Sequence, residues 1–254
     1  MDMRNKTAII TGSGRGIGAA TAELFAQNGA KVVVADIEKE WGEEVAERIR
    51  DNGGEARFCE VDVTEEESVS DMIRFAVDNY DRLDAIVNNA ATIVVKKAAD
   101  ITAEEWARVI GVNLTGVFYG CKHAIRQFQS QGGGGAIVNL GSISAVVGLP
   151  EQAVYCASKG GVFQLTRQIA IDYAEENIRC STIGPGSVDG DFLRIYIDSQ
   201  ADPEQAEKDI LANHPINRLA DPSEIAEAIM FLASDRSSFV TGANLQADGG
   251  YSAI

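Results

Sequence analysis

The feature that most constrains this chain is a repeated alternation of short apolar runs with longer amphipathic runs. Runs such as KTAIIT and KVVVAD predict buried strands, and the runs that follow them have helical spacing and end at glycines. Strands that alternate with helices predict a parallel sheet covered by helices on both faces. We therefore expect an α/β fold with a doubly wound sheet of about seven strands.

Charge and cysteine spacing exclude several classes of function. The formal net charge of −16 gives a surface that repels phosphate backbones and anionic lipids, so we expect neither nucleic-acid nor membrane partners. The four cysteines fit neither a zinc site nor a Cys-x-x-Cys redox pair, and no metal site is predicted. The N-terminus does not resemble a signal peptide and no run is long enough to span a membrane, which predicts a cytoplasmic protein.

A glycine-rich turn, TGSGRGIG, lies between the first predicted strand and the first predicted helix. Gly12, Gly16 and Gly18 form a variant of the dinucleotide fingerprint. Glycines permit the tight turn and let backbone N–H groups approach a pyrophosphate at the helix N-terminus. Strand, turn and helix together predict a Rossmann-type fold in which residues 1–254 form one dinucleotide-binding catalytic domain.

The end of the second predicted strand indicates which dinucleotide binds. Asp36 lies twenty residues beyond Gly16, where a carboxylate accepts hydrogen bonds from adenosine ribose hydroxyls and repels the additional phosphate of NADP. Arg15 is the competing signal, because a cation in the glycine turn attracts that phosphate. Ile37 adds no basic group, and we predict NAD. Asp62 is a candidate acceptor for the adenine amino group, or a residue of the turn before the next helix.

Tyr155 and Lys159 stand four residues apart in AVYCASKGG, a run with helical character. Four residues are about one helical turn, so both side chains project from the same face. An ammonium group near a phenol favours the phenolate, and such a pair is suited to proton transfer. Taken alone, the spacing proves little, because Tyr-x-x-x-Lys occurs by chance in many helices and an ordinary surface pair is the more common explanation.

In combination the ordered motifs resemble the short-chain dehydrogenase/reductase family in its one-domain, NAD-preferring form. They are TGSGRGIG, DVT, NNA, NLTG, a serine thirteen residues before YCASK, PG and a closing DGG. The resemblance implies that Tyr155 is the acid/base, that Lys159 lowers its pKa and holds the nicotinamide ribose, and that Ser142 stabilises the reacting oxygen. It also implies that Asn113, within a predicted long helix, opens the backbone and holds a water that links Lys159 to solvent. Ser144 is the alternative hydroxyl to Ser142.

The resemblance further implies a set of residues that bind NAD. They are Gly12, Ser13, Arg15, Gly16, Ile17, Gly18, Asp36, Ile37, Asp62, Val63, Asn89, Ala90, Tyr155, Lys159, Pro185, Gly186 and Val188. The side-chain amides of Asn89 and its neighbour Asn88 could also form hydrogen bonds that join neighbouring strand ends. Two positions depart from the family pattern: Ala91 replaces a common glycine, and Gly190 replaces a common threonine that meets the nicotinamide amide. Ser187, Asp189 or a backbone group are the candidates to replace that contact.

A segment at about 186–215, with helical character in PEQAEKDILAN, is expected to cover the substrate. Candidate pocket residues are mostly apolar: Ile93, Val94, Val95, Val146, Val147, Leu149, Phe192, Leu193, Ile195 and Tyr196. Lys96, Lys97 and Arg194 are the candidates to hold an anionic substrate, and His214 is expected to pack within the cover. We predict a neutral secondary alcohol or its ketone, with alicyclic, diol and steroid-like skeletons as the classes considered.

Other functions fit the same fold. They are a regulatory dinucleotide-binding protein without redox turnover, an enzyme acting on sugars or acyl-carrier substrates, and an epimerase or eliminating enzyme. The complete set of Ser142, Tyr155 and Lys159 argues against a regulatory protein. The resemblance implies a homotetramer, formed through the helices around Asn113 and Tyr155 and through the C-terminal DGGYSAI.

Overall fold

The structure is a computed structural model that describes residues 2–253, within which seven strands and nine α-helices form. The strands are β1 (Thr7–Thr11), β2 (Lys31–Asp36), β3 (Glu55–Glu60), β4 (Ala85–Asn88), β5 (Gly135–Leu140), β6 (Ile178–Pro185) and β7 (Asn244–Ala247). The helices are α1 (Gly16–Gln27), α2 (Lys39–Asp51), α3 (Glu66–Tyr80), α4 (Ala103–Ile110), α5 (Gly116–Gln131), α6 (Ala153–Asp172), α7 (Asp191–Asp198), α8 (Pro203–Ala212) and α9 (Pro222–Ala233).

All these strands belong to one parallel sheet with the order β3-β2-β1-β4-β5-β6-β7. The central strand β1 pairs with β2 on one side and with β4 on the other. The direction of winding reverses between β1 and β4, and the carboxyl ends of strands at such a point form the crevice where doubly wound sheets bind ligands. The predicted Rossmann-type fold is confirmed.

Each face of the sheet is buried under its own layer of helices. In β1, Ala8 and Ile10 pack into a core shared with α1, α2 and α9, whereas Ile9 packs into a core shared with α3, α5 and α6. Successive strand residues point to opposite faces, so a strand covered on both sides must be apolar throughout. This is why the strands read as continuous apolar runs in the sequence.

Two segments differ in detail from the sequence-based expectation. The predicted long helix is α4 and α5 joined by a π-helical turn, Gly111–Thr115, which widens the backbone around Asn113. The cover contains α7 in addition to the expected α8. This helix is short and follows Gly190, whose φ of +148° interrupts the chain, so its eight residues give too little periodicity to be recognised.

Candidate active site

A cavity of about 790 Å³ opens at the carboxyl ends of the strands, between the glycine turn and the cover. Most predicted site residues line it: Gly12, Arg15, Gly16, Ile17, Asp36, Ile37, Asp62, Val63, Asn89, Ala90, Ser142, Tyr155, Pro185, Gly186 and Val188. Four predicted residues, Ser13, Gly18, Asn113 and Lys159, are buried beneath the lining. The fold therefore brings the glycine turn and the Ser–Tyr pair to a single cavity.

The glycine turn is tightly packed against the strand ends. Gly12 has a φ of +62°, and a Cβ atom on it would lie 2.8 Å from Cα of Ala90. A Cβ on Gly18 would overlap the carbonyl oxygen of Gly12. The Ser13 hydroxyl accepts a hydrogen bond from the backbone N–H of Ala35 at 3.0 Å, which joins the turn to β2. Any side chain at Gly12 or Gly18 would force the backbone away from the position that a pyrophosphate requires.

Two carboxylates line the end of the cavity beside the glycine turn. Asp36 is buried, and its oxygens accept backbone hydrogen bonds from Gly14 at 2.7 Å and Glu38 at 3.0 Å. Asp62 accepts from both the backbone N–H and the hydroxyl of Thr64. Asp62 therefore shapes the turn before α3 and also faces the cavity. Each carboxylate oxygen can accept more than one hydrogen bond, so both groups keep acceptor capacity toward the cavity.

Arg15 is held at the outer edge of the glycine turn. Its guanidinium lies 4.3 Å from the centroid of the Trp41 ring. The same group forms an ion pair with Asp191, at the start of α7, over 3.2 Å. These two contacts hold the cation between α2 and the cover.

Tyr155 and Lys159 lie in the first turns of α6, as predicted, and both side chains are buried. Lys159 Nζ lies 5.6 Å from the centre of the Tyr155 ring and donates a hydrogen bond to the Leu140 carbonyl at 2.6 Å. Ser142, at the end of β5, lines the cavity together with Tyr155. The surface-pair alternative for Tyr155 and Lys159 is therefore wrong.

Burial is the main influence on the pKa values of Tyr155 and Lys159. It raises the pKa of the Tyr155 phenol above its ordinary value, and the hydrogen bond with Ser142 acts in the opposite direction. Burial lowers the pKa of Lys159 to about 7. The direction for Tyr155 is opposite to the lowering expected from a neighbouring ammonium group, because loss of water around the phenol outweighs the favourable contacts.

Asn113 is fully engaged in joining three segments. Its side-chain oxygen accepts from the Thr92 backbone N–H at 2.8 Å, and its nitrogen donates to the Thr92 carbonyl at 2.9 Å and to the Ser158 hydroxyl at 3.2 Å. The Ser158 hydroxyl in turn donates to the Tyr155 carbonyl at 2.7 Å. The π-helical turn thus fixes the loop after β4 and the first turn of α6 relative to each other.

The two asparagines at the end of β4 act as ties between strands. Asn89 donates to the carbonyls of Thr11 and Gly12, both at 2.9 Å, and it also faces the cavity. Asn88 donates to the side-chain oxygen of Asn139 on β5 at 2.8 Å. Both roles considered for Asn89 are therefore compatible with its position.

The substrate end of the cavity is lined mainly by apolar side chains. Of the predicted pocket residues, Ile93, Leu149, Phe192, Leu193, Ile195 and Tyr196 line it, whereas Val94, Val95, Val146 and Val147 do not. The Phe192 ring on α7 lies 5.8 Å from the Tyr155 ring, centre to centre, so the cover contacts the predicted acid/base.

The basic residues near the cover point elsewhere. Lys96 pairs with Glu105 at 2.6 Å and Arg194 with Glu207 at 3.2 Å. Neither Lys96, Lys97 nor Arg194 lines the cavity. His214 is buried and accepts from the Ser187 backbone N–H at 3.0 Å, in agreement with its expected packing role.

Comparison with known proteins agrees with this architecture. Residues 12–252 match the sequence family described as enoyl-(acyl carrier protein) reductase. Over 250 residues the chain is 42% identical to a cis-4-hydroxycyclohexanecarboxylate dehydrogenase of Sinomonas cyclohexanicum, covering 98% of this chain and 97% of that one. It is 39% identical to a cyclohexanol dehydrogenase of Acinetobacter sp. strain SE19, covering 97% and 95%. The crystal structure of a short-chain type dehydrogenase/reductase from Mycobacterium marinum has a TM-score of 0.93 at 32% identity and covers 100% and 98%.

The chain belongs to the short-chain dehydrogenase/reductase family. The departure from the family pattern at Gly190 has a physical basis in this short-chain dehydrogenase. Gly190 has a φ of +148°, which side-chain-bearing residues rarely adopt, and it directly precedes α7. A threonine at this position would be strained at this backbone conformation.

Sequence reasoning did not find several residues that line the cavity. They are Trp41, Thr92, Gln152, Gln200, Asp209, Asn213 and Tyr251. Gln152 stands three residues before Tyr155, and this closeness to a predicted acid/base was an available signal. Thr92 directly precedes Ile93, a predicted pocket residue, and this was a second available signal. The others come from α2, from the cover or from the C-terminal segment, whose positions depend on tertiary packing.

Residues 2–253 contain neither a candidate metal site nor a candidate membrane-spanning helix. No group of three or more His, Cys, Asp or Glu side chains in this range is arranged to hold a metal ion. No helix within it is long and apolar enough to cross a membrane.

Proposed function

We propose that this chain is an NAD(H)-dependent oxidoreductase that interconverts a neutral secondary alicyclic alcohol and its ketone. One observation carries the proposal: Ser142 and Tyr155 line the same cavity as the glycine turn, directly above the buried Lys159. Asp36, the glycine turn and Tyr155 line this one cavity, so these residues would hold a dinucleotide along the strand ends, with Ser142 and Tyr155 available to its substrate. The names of the two relatives support the alicyclic class.

The residues present fit a dinucleotide. The close packing of Gly12 and Gly18 leaves the backbone of the turn accessible to a pyrophosphate. Asp36 suits the ribose hydroxyls, and its negative charge disfavours the additional phosphate of NADP. Arg15 is already engaged with Trp41 and Asp191, which supports the predicted preference for NAD.

The proposed chemistry divides between the cofactor and the chain. When bound, the nicotinamide supplies or accepts the hydride. Tyr155 removes the proton from the alcohol, or donates it to the carbonyl in the reverse direction, and Ser142 donates a hydrogen bond to the reacting oxygen. Lys159 stabilises the deprotonated phenol when it is itself protonated, and Asn113 holds α6 in register. The phenol needs such stabilisation because burial opposes its ionisation.

The alternative of an acyl-carrier substrate has one observation in its favour, which is the name of the matched sequence family. Such substrates carry a phosphate on their prosthetic arm. Among the described residues, the lining of the cavity offers a single basic side chain, Arg15, and this one is engaged at the cofactor end. We therefore favour a neutral alcohol.

The experiment is a turnover assay with purified protein, NAD or NADP, and a panel of substrates. The panel contains cyclohexanol, cyclopentanol, a sugar and an enoyl-acyl carrier thioester with NADH. The proposal expects NADH absorbance to rise with the alicyclic alcohols and NAD. Turnover restricted to the sugar or thioester supports the second function, and no redox change with any substrate supports a regulatory protein.

We also propose that the protein is a homo-oligomer, in accord with the tetramer expected from the family. Three large apolar side chains are exposed on helices α4, α5 and α6: Trp106, Phe118 and Ile171. Such exposed apolar side chains suit a protein–protein interface. Light scattering on the protein in solution tests this, and a monomeric mass at assay concentration contradicts it.

A further inference from the structure

Gln152 is a buried polar side chain that the proposed chemistry does not use. It immediately precedes α6, three residues before Tyr155, and is 8% exposed. Its backbone is committed, because its carbonyl accepts the first helical hydrogen bond, from Cys156 at 2.8 Å. Its neighbour Glu151 accepts from the Lys96 backbone N–H, also at 2.8 Å. The Gln152 backbone is therefore fixed independently of its side chain.

The side-chain amide of Gln152 has no hydrogen-bond partner among the described residues, and it lines the active-site cavity. Asn88, Asn89, Asn113 and Asn139 are buried like Gln152, and each donates to a protein partner within 3.2 Å. The buried side-chain atoms without a partner among the described residues are Tyr80 Oη, Ser181 Oγ, Asn244 Oδ1 and Gln246 Oε1. The Gln152 amide is not one of them, so its polar atoms remain accessible from the cavity. A ligand in the cavity can therefore bond to an amide that no protein group occupies.

The charges around the substrate end define which ligand group suits this amide. Asp189 and Asp209 line the cavity on the side of the cover, and no Lys, Arg or His of the described cover lines it. A carboxylate or phosphate on the substrate would face these acids without a counter-charge. An amide offers both a donor and an acceptor, which matches a neutral hydroxyl or carbonyl.

We propose that Gln152 determines substrate specificity by binding a second, neutral oxygen on the ring of the alcohol. The preferred substrates are then cyclic diols or hydroxyketones, and rings that carry a carboxylate are rejected. This inference rests on the proposed function for the position of the reacting carbon, which lies at Tyr155. By rejecting carboxylates, this chain would differ in substrate preference from the relative named as a cis-4-hydroxycyclohexanecarboxylate dehydrogenase.

The test measures binding to the protein saturated with NADH, by calorimetry, so that it does not depend on turnover. The ligands are cyclohexanol, the 1,2-, 1,3- and 1,4-cyclohexanediols and cis-4-hydroxycyclohexanecarboxylate. We expect at least one diol to bind about tenfold more tightly than cyclohexanol, in line with one net hydrogen bond, and the carboxylate to bind more weakly than cyclohexanol. Equal affinities for cyclohexanol and all diols, or tighter binding of the carboxylate, overturn the inference.

Substitutions assign the effect to the residue. In Gln152→Leu the ratio of diol to cyclohexanol affinity is expected to fall by about tenfold. Gln200→Leu is the matched control, because the Gln200 amide also lies at the cavity but already bonds to the Tyr196 carbonyl and the Ser199 hydroxyl. Its ratio is expected to stay at the wild-type value. An equal fall in both variants, or none in Gln152→Leu, contradicts a specific role of Gln152.

A second variant protects the test against misfolding. Gln152→Glu keeps the size and the acceptor oxygens but adds a negative charge, and it is expected to weaken carboxylate binding further than diol binding. In the wild-type protein, absence of a diol preference together with turnover of cyclohexanol and NAD refutes the role of Gln152 only. Diol preference without any redox turnover refutes the proposed function and leaves the binding role in place.

Discussion

The floor of the cavity and its cover are held together by different kinds of interaction. The floor, formed by the strand ends, the π-helical turn and α6, is joined by buried hydrogen bonds such as those of Asn89, Asn113 and Lys159. In the cover, α7 buries only Ile197 and α8 buries no residue. The ion pairs of these two helices, Arg15–Asp191 and Arg194–Glu207, are exposed. Buried polar networks fix geometry, whereas exposed pairs contribute little and are easily exchanged. We therefore expect changes in the floor to affect chemistry and changes in the cover to affect selectivity.

The sharpest test of this contrast is Tyr155→Phe in the floor. The variant keeps the ring contact with Phe192 and removes only the hydroxyl that moves the proton. We expect kcat to fall by about 10³-fold or more with the affinity for NADH nearly unchanged. Phe192→Leu is the matched variant in the cover, and steady-state kinetics with cyclohexanol should show a far smaller loss of kcat. Retained turnover in Tyr155→Phe would place the acid/base elsewhere.

A second test uses the buried Lys159 and the pH dependence of stability. Its pKa is about 7 in the folded protein, whereas unfolded lysine titrates at about 10.4. Between these values the unfolded chain binds the additional proton, so this group makes the fold more stable as pH rises. Below pH 7 it stays charged in both states and its burial opposes folding, by on the order of a few kcal/mol.

We therefore compare the urea midpoint of Lys159→Met with that of the wild type at each pH. The midpoint of the variant minus that of the wild type is expected to increase as pH falls from 10 to 7. The lost bond to the Leu140 carbonyl shifts all pH values alike and leaves the trend unchanged. Urea unfolding curves of both proteins at several pH values measure the difference. A difference that does not change with pH would show that Lys159 is not desolvated in the folded protein.

The same contrast explains how far the sequence predicts this molecule. The strands and the glycine turn were predictable because local spacing determines them. The four-residue spacing predicted that Tyr155 and Lys159 share a helix face, and the resemblance to the family predicted that this face belongs to the active site. The direction of the Tyr155 pKa was not predictable, because it depends on how much of the fold surrounds the phenol. Neither α7 nor the contacts of Arg15 were predictable, since Trp41 and Asp191 reach that cation from distant segments.

A smaller effect is expected at the edge of the floor, where Asp36 selects the cofactor. Asp36→Asn keeps the shape and removes the charge that disfavours the NADP phosphate. We expect the ratio of kcat/KM for NAD over NADP to fall by about tenfold, roughly 1.4 kcal/mol. Glu38→Gln is the charge-matched control, since its side chain is exposed nearby. If the ratio of kcat/KM for NAD over NADP is unchanged in Asp36→Asn, then Asp36 does not select the cofactor and Arg15 becomes the candidate for that role.

The smallest effect is expected for the ion pair that joins the cover to the floor. The side chains of Arg15 and Asp191 are 53% and 72% exposed, and exposed pairs contribute about 0.2–1 kcal/mol. Asp191→Asn should therefore change the KM for substrate by less than about fivefold, and the change should shrink in high salt as screening weakens the wild-type pair. Asp198→Asn, at the other end of α7, controls for a general charge effect. A loss of kcat as large as that of Tyr155→Phe would mean that this pair holds the catalytic geometry, and the division between floor and cover would then be wrong.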